Sequence, residues 1–159
     1  MKKFELVCTV EHYESINELQ NADKILIEAS NTALASAYAP YSNFKVGAAL
    51  MLEDDIIVMG SNQENAAYPS GLCAERVAFF SAGSQYPGRQ IKAIAITTSY
   101  LLETPIAPCG ACRQVMAEYE LKQNSPIKII LSCSGGKIYM LNSMKDLMPL
   151  YFSGEWLKK

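Results

Sequence analysis

Apolar residues recur at helical spacing in the first quarter of the chain. Ser15 and Glu18 have the spacing of a capping box, in which a serine and a glutamate bond the backbone at a helix start. The apolar positions that follow lie three or four residues apart: Leu19, Ala22, Leu26, Ala29, Ala33 and Ala37. This spacing predicts one long amphipathic helix. We expect it to end before Pro40, because proline cannot continue a helix.

Short apolar runs after this helix predict strands. Residues 44–52 and 56–61 flank the acidic turn at 53–55, a pattern typical of a β-hairpin. Residues 73–82 then have the composition of a helix. A hairpin followed by a helix is therefore expected in the middle of the chain.

The second half of the chain predicts a βαβ unit. Residues 91–98 and 127–131 are isoleucine-rich strand candidates, and the helix-like residues 111–121 lie between them. Such a crossover produces a parallel strand pair. A further strand is predicted at 137–141. Together the elements predict an α/β fold with a mixed central β-sheet flanked by helices.

Length, composition and charge limit the function classes. The 159 residues, half of them hydrophobic, fit a single domain over 1–159 without a linker or repeat. The net charge is −2 and no Lys/Arg cluster is present, which argues against binding to a polynucleotide. Glu5 and Glu11 interrupt the apolar run of any export signal, and no segment is long enough to span a membrane. We therefore expect a cytoplasmic protein that does not bind membranes.

The candidate chemistry lies in two cysteine motifs, each at the start of a predicted helix. In Pro108-Cys109-Gly110-Ala111-Cys112, two thiols lie one helical turn apart, where the helix dipole favours thiolates. Alone this pair is ambiguous between zinc binding and redox chemistry. Cys73 supplies a third sulfur, with Glu75 two residues away. Three protein ligands leave one zinc coordination position open for water, and a carboxylate that is not a ligand can transfer protons.

Further residues outside these motifs, and Arg76 beside one of them, affect this interpretation. Arg76 lies one turn from Cys73 and is predicted to offset the charge of the thiolates by donating hydrogen bonds to sulfur. A structural zinc site closed by Cys8 or Cys133 remains an alternative. So does a redox protein that uses only the Cys109 and Cys112 pair.

The motifs resemble those of the small cytidine deaminases, in which Cys-Ala-Glu is followed by Pro-Cys-x-x-Cys. Here these are Cys73-Ala74-Glu75 and residues 108–112, and the resemblance extends to residues 41–49, 62–68 and 147–152. The resemblance implies a three-layer αβα fold and one Zn²⁺ per subunit. The implied reaction is the hydrolytic deamination of cytidine and deoxycytidine to uridine and deoxyuridine, with release of ammonia, in pyrimidine salvage.

The same resemblance implies roles for individual residues. Asn62 and Glu64 would hold the ribose hydroxyls, and Phe44 would pack on the pyrimidine. The backbone N–H of Ala74 would meet the carbonyl oxygen of the base. Phe152 would reach the site of a neighbouring subunit, as expected of a homotetramer whose sites are completed by neighbours. A related deaminase that acts on a cytosine-containing antibiotic remains the alternative enzyme.

Overall fold

A computed structural model describes residues 1–157, which form one mixed β-sheet with α-helices on both faces. The strands are β1 (Glu11–Tyr13), β2 (Val46–Leu52), β3 (Ile57–Ser61), β4 (Ile91–Thr98), β5 (Lys128–Ser132) and β6 (Ile138–Leu141). The helices are α1 (Asn21–Ala33), α2 (Ala74–Gln85) and α3 (Gly110–Gln123). Within residues 1–157, no helix has the length and apolar character needed to cross a membrane.

The strand order is β1-β6-β5-β4-β2-β3. The hairpin prediction is confirmed, because β2 and β3 pair antiparallel. The βαβ prediction is confirmed as well, because β4 and β5 are parallel and α3 connects them. Strand β6 pairs antiparallel with β5, so the sheet is mixed as expected.

Two apolar cores lie on opposite faces of the sheet. One core packs α2 and α3 against the sheet through Ala78, Phe79, Met116, Ile94 and Ile129, among others. The other packs α1 on the opposite face through residues that include Leu26, Ile27, Ala49, Ala95 and Ile130. Alternate residues of β4 thus point into different cores, as the two-residue period of a strand requires. The three-layer arrangement of helices and sheet is confirmed.

The predicted long helix is wrong at both ends. Ser15 does form a capping box, since its N–H donates to Glu18 Oε1 at 2.8 Å, but the box caps a short 3₁₀ turn. Leu19 then adopts an extended backbone and is buried in the α1-side core, so helix α1 begins only at Asn21. After Ala33 the chain tightens into another 3₁₀ turn. Burial of Leu19 therefore outweighs the continuous helical pattern.

Strand β1 has no counterpart in the sequence prediction. It is three residues long and pairs antiparallel with β6, with His12 opposite Tyr139. The two partners are far apart in the chain, so no local pattern marks their pairing. Residues 11–13 therefore extend the sheet at one edge.

Two glycines set how closely the helices approach the sheet. A Cβ on Gly47 of β2 would lie 2.1 Å from the carbonyl oxygen of Ser30 in α1. A Cβ on Gly60 of β3 would lie 2.6 Å from the carbonyl oxygen of Ala74, the first residue of α2. Because only glycine permits these contacts, Gly60 determines where the N-terminus of α2 lies.

Candidate active site

The N-termini of α2 and α3 bring three cysteines together. Cys73 is the N-cap of α2 and Cys109 is the N-cap of α3, while Cys112 lies in the first turn of α3. Both helices pack in the same core on one face of the sheet. Cys109 is exposed and Cys112 is buried, so the group extends from the surface inward.

The three sulfur atoms have the spacing of a metal site. The Sγ atoms of Cys73 and Cys109 are 3.8 Å apart, those of Cys109 and Cys112 are 3.5 Å apart, and all three lie within 4.8 Å of one another. Zinc–sulfur bonds of about 2.3 Å in tetrahedral geometry place two sulfurs roughly 3.8 Å apart. The donor set therefore fits Zn²⁺. Among the described residues, Cys8 and Cys133 do not belong to the group.

The surroundings favour the thiolate form of Cys73. A hydrogen bond with Cys112, assisted by Arg76, lowers the pKa of Cys73 to about 5. The same hydrogen bond raises the pKa of Cys112. Arg76 Nη2 lies 3.9 Å from Cys73 Sγ, and its buried Nε has no hydrogen-bond partner among the described residues. The guanidinium thus faces the cysteines, as expected for a group that offsets their negative charge.

Glu75 is a buried carboxyl group beside the cysteines. Only 5% of the residue is exposed, and this burial raises the pKa of its side chain. A carboxyl whose pKa is raised toward neutrality can both accept and release a proton. Glu75 is therefore chemically suited to general acid and base work next to a metal.

A cleft of about 680 Å³ opens onto this group. Cys73, Glu75, Arg76 and Cys109 line one part of it, and the predicted substrate-binding residues Phe44, Asn62 and Glu64 line another. The volume is in the range of small-molecule sites. The structure thus brings the two sets of predicted residues to one cavity, although they come from separate parts of the chain.

Three predicted residues lie outside the lining. Cys112 and Ala74 are fully buried next to the cleft. Phe152 is 57% exposed and borders a separate surface pocket formed by the C-terminal segment. Within the described chain, Phe152 therefore does not line this cleft.

Asn62 and Glu64 bind the loop that precedes β2. Asn62 Oδ1 accepts from the Val46 N–H at 2.9 Å, and its Nδ2 donates to the Phe44 carbonyl at 2.8 Å. Glu64 accepts from the N–H of Tyr41 at 2.9 Å and of Ser42 at 3.2 Å, and from the Ser42 hydroxyl. The hydrogen bond with Ser42 is the main cause that lowers the pKa of Glu64.

These bonds leave part of each side chain available. An amide side chain offers two donor hydrogens and two acceptor sites, and a carboxylate about four acceptor sites. One donor and one acceptor site of Asn62 and about one site of Glu64 thus remain for a ligand. The two residues both hold the loop and face the cleft.

Several cleft residues received no role from the sequence. They include Tyr41, Ser42, Asn65, Tyr68, Ile106 and Ala107. Ser42 could have been identified as a turn residue, because serine followed by asparagine is typical of turns. Its hydroxyl accepts a hydrogen bond from the Phe44 N–H at 3.0 Å. Ile106 and Ala107 come from the loop after β4 and carry no chemical signal of their own.

The fold and the cysteine group define a class of zinc enzymes that keep one coordination position open. Residues 20–125 match the family model described as the cytidine and deoxycytidylate deaminase zinc-binding region. The chain belongs to this family.

Individual relatives agree with the family match. The chain is 45% identical over 130 residues to a cytidine deaminase of Sporosarcina psychrophila, covering 82% of this chain and 90% of the relative. It is 40% identical over 132 residues to one of Halalkalibacterium halodurans, covering 83% and 95%. A crystal structure of the Burkholderia pseudomallei cytidine deaminase has a TM-score of 0.71 and 46% identity, covering 80% of this chain and 97% of that one. The Mycobacterium tuberculosis cytidine deaminase has a TM-score of 0.63 and 30% identity, covering 81% and 95%.

Proposed function

We propose that the protein catalyses the zinc-dependent hydrolytic deamination of cytidine and deoxycytidine to uridine and deoxyuridine, with release of ammonia. One observation carries the proposal: three thiols with zinc spacing and the buried Glu75 lie beside a cleft large enough for a nucleoside. The relatives named above, which are cytidine deaminases, support the same reaction.

Cys73, Cys109 and Cys112 would hold one zinc ion per subunit. When bound, zinc supplies a Lewis acid that makes water acidic enough to act near neutral pH. Arg76 and the N-termini of α2 and α3 would offset the charge of the thiolates, which keeps the site electrophilic. Two of the three ligands come from α3, and the third comes from α2.

Glu75 would move the protons that the reaction requires. Its carboxylate takes a proton from water and delivers it to N3 of the pyrimidine. As N3 is protonated, the oxygen of the water adds to C4; the carboxylate would then take the proton of the new C4 hydroxyl and give it to the amino group, which leaves as ammonia while the C4=O bond forms. Burial of the Glu75 carboxyl supports this role, because it raises the pKa of the group, and a carboxyl with a raised pKa can both take up and release a proton.

Phe44, Asn62, Glu64 and the backbone of Ala74 would orient the nucleoside. Phe44 provides an aromatic face for the pyrimidine ring. Asn62 and Glu64 retain a donor and acceptor sites suited to ribose hydroxyls. The Ala74 N–H has no acceptor within its helix, because Ala74 is the first residue of α2, and it would donate to the carbonyl oxygen of the base.

The test is ultraviolet monitoring of zinc-analysed protein with cytidine, deoxycytidine, cytosine and adenosine side by side. We expect turnover of the two cytosine nucleosides and none of cytosine or adenosine. Turnover of cytosine alone would contradict the role of the ribose-binding residues. A cytosine-containing antibiotic is added as a fifth substrate. Conversion of the antibiotic alone by zinc-loaded protein would support the alternative, a deaminase that acts on such antibiotics.

We also propose a homotetramer in which Phe152 completes the site of a neighbouring subunit. The exposed position of Phe152 away from its own cleft supports this arrangement. In the test, subunits carrying Phe152→Ala are unfolded and refolded together with subunits carrying Glu75→Gln. Recovery of activity in the mixture, when each variant alone is poorly active, supports a shared site. A mixture no more active than its components contradicts it.

Two further expectations from the sequence stay proposals. A single domain over 1–159 is supported by the one sheet that all strands of the described chain share. A cytoplasmic location is supported by the five cysteines, which are all free thiols. A role in pyrimidine salvage would follow from the proposed reaction. Cell fractionation with an antibody against the protein tests the location.

A further inference from the structure

The ring of Phe44 is supported from behind by a second aromatic side chain. Tyr100, in the loop after β4, stacks on Phe44 with ring centroids 4.8 Å apart and an angle of 25° between the planes. Phe44 lines the cleft, whereas Tyr100 is not among the lining residues. We propose that Tyr100 is a positioning residue that holds the Phe44 ring in the orientation needed to pack on the pyrimidine. This inference rests on the proposed function.

A second contact fixes the same place in the chain. The Tyr100 hydroxyl donates to the carbonyl oxygen of Asn43 at 3.2 Å. Asn43 immediately precedes Phe44 and has a φ of 58°, in the left-handed region that few residues other than glycine adopt readily. Tyr100 thus contacts both the ring of Phe44 and the unusual backbone that directs this ring.

Tyr100 is itself anchored to the sheet. Its N–H donates to the hydroxyl of Thr98, the last residue of β4, at 3.3 Å. The Thr98 hydroxyl in turn donates to the Lys45 carbonyl at 2.9 Å, and Thr98 is only 1% exposed. Phe44 therefore lies between two residues, Asn43 and Lys45, whose carbonyls are both bound by the end of β4 and the loop after it.

The Phe44 backbone is fixed independently of Tyr100. Its N–H donates to the Ser42 hydroxyl and its carbonyl accepts from Asn62. These bonds leave the side chain free to choose among rotamers, and the stack with Tyr100 restricts that choice. A ring held in its binding orientation before the substrate arrives loses less entropy on binding. Tyr100 should therefore strengthen nucleoside binding without touching the substrate.

The experiment measures uridine binding by calorimetry and cytidine turnover for zinc-loaded protein. Because a stacked aromatic pair contributes a few-fold to roughly 12-fold in an equilibrium constant, Tyr100→Ala should raise the Kd of uridine and the KM of cytidine by about 3- to 10-fold. We expect kcat and zinc content to stay near the wild-type values. Tyr100→Phe keeps the ring and should recover most of the affinity. Leu101→Ala, at the exposed neighbouring residue, is the matched control and should bind as the wild type does.

A double-mutant cycle with Phe44→Ala decides whether Tyr100 acts through Phe44. In the Phe44→Ala background, Tyr100→Ala should change the uridine Kd by less than about 2-fold, because the ring that it supports is absent. An equal change in both backgrounds overturns the inference, and so does a Tyr100→Ala protein with wild-type affinity. Tyr100→Leu gives the same decision if the alanine variant does not fold. Binding of uridine without turnover of cytidine contradicts the proposed function and leaves the positioning test intact.

Discussion

Replacing Glu120 by alanine tests how the C-terminal part of the chain is attached to helix α3. Glu120 is 7% exposed, and its Oε2 accepts from the N–H groups of Ile127 at 2.9 Å and Met144 at 3.0 Å. Its Oε1 accepts from the hydroxyl of Ser143. One carboxylate thus joins α3 to the start of β5 and to the segment that follows β6.

The structure sets the size of the effect. Ile127 and Met144 are each 1% exposed, so Glu120→Ala leaves two backbone N–H groups buried without an acceptor. Each such group costs about 1–3 kcal/mol, which amounts to a loss of about 2–6 kcal/mol in the free energy of unfolding. Domains are stable by only about 5–15 kcal/mol. For a chain of this size the loss corresponds to a fall in Tm of roughly 5–20 °C.

The measurement is urea and thermal unfolding at one fixed protein concentration, because subunit association would make Tm depend on concentration. Glu118→Ala is the matched control, since Glu118 is exposed on the same helix, and it should change the free energy of unfolding by less than about 0.5 kcal/mol. Equal losses for Glu118→Ala and Glu120→Ala would refute the reasoning, because they would show that the buried hydrogen bonds carry no special weight.

The remaining predictions concern the site. Glu75→Gln should lower kcat by about 10²- to 10⁴-fold while zinc content by atomic absorption stays unchanged, and retained activity would exclude Glu75 as the proton carrier. Cys109→Ser should lose zinc to a chelator much faster than the wild type, whereas Cys8→Ser should not, because Cys8 lies outside the cysteine group. Equal zinc loss would contradict this ligand set. Gly60→Ala should cost about 1–3 kcal/mol of stability, because its Cβ would lie 2.5 Å from the backbone of α2. Gly110→Ala, whose Cβ would meet nothing within 4 Å, should show no such loss in the same unfolding assay.

Much of the fold follows from local patterns. The hairpin, the parallel pair and helices α2 and α3 were predicted close to their observed bounds. The prediction failed where a distant contact outweighed the local pattern. Burial of Leu19 shortened the first helix, and pairing with β6 made a strand of Glu11–Tyr13. Neither partner is visible from the neighbouring sequence.

The candidate site divides in the same way. Cys73, Glu75, Cys109 and Cys112 were identified from motif spacing, because a helix start places such residues on one turn and metal chemistry restricts their types. Phe44, Asn62 and Glu64 came from family resemblance, and the structure adds that they line the same cleft. Tyr100 carries no sequence signal, since its partner Phe44 lies in a different loop.

The sequence by itself therefore determined the family, the metal-binding residue types and most of the secondary structure, because these depend on short spacings along the chain. Only the tertiary structure decided that the three sulfurs come within zinc-binding distance, that Glu75 is buried beside them, and that Tyr100 lies behind Phe44. These features depend on how two helices and two loops pack on one sheet. Packing of that kind arises from contacts between residues that are distant in sequence, so no local pattern records it.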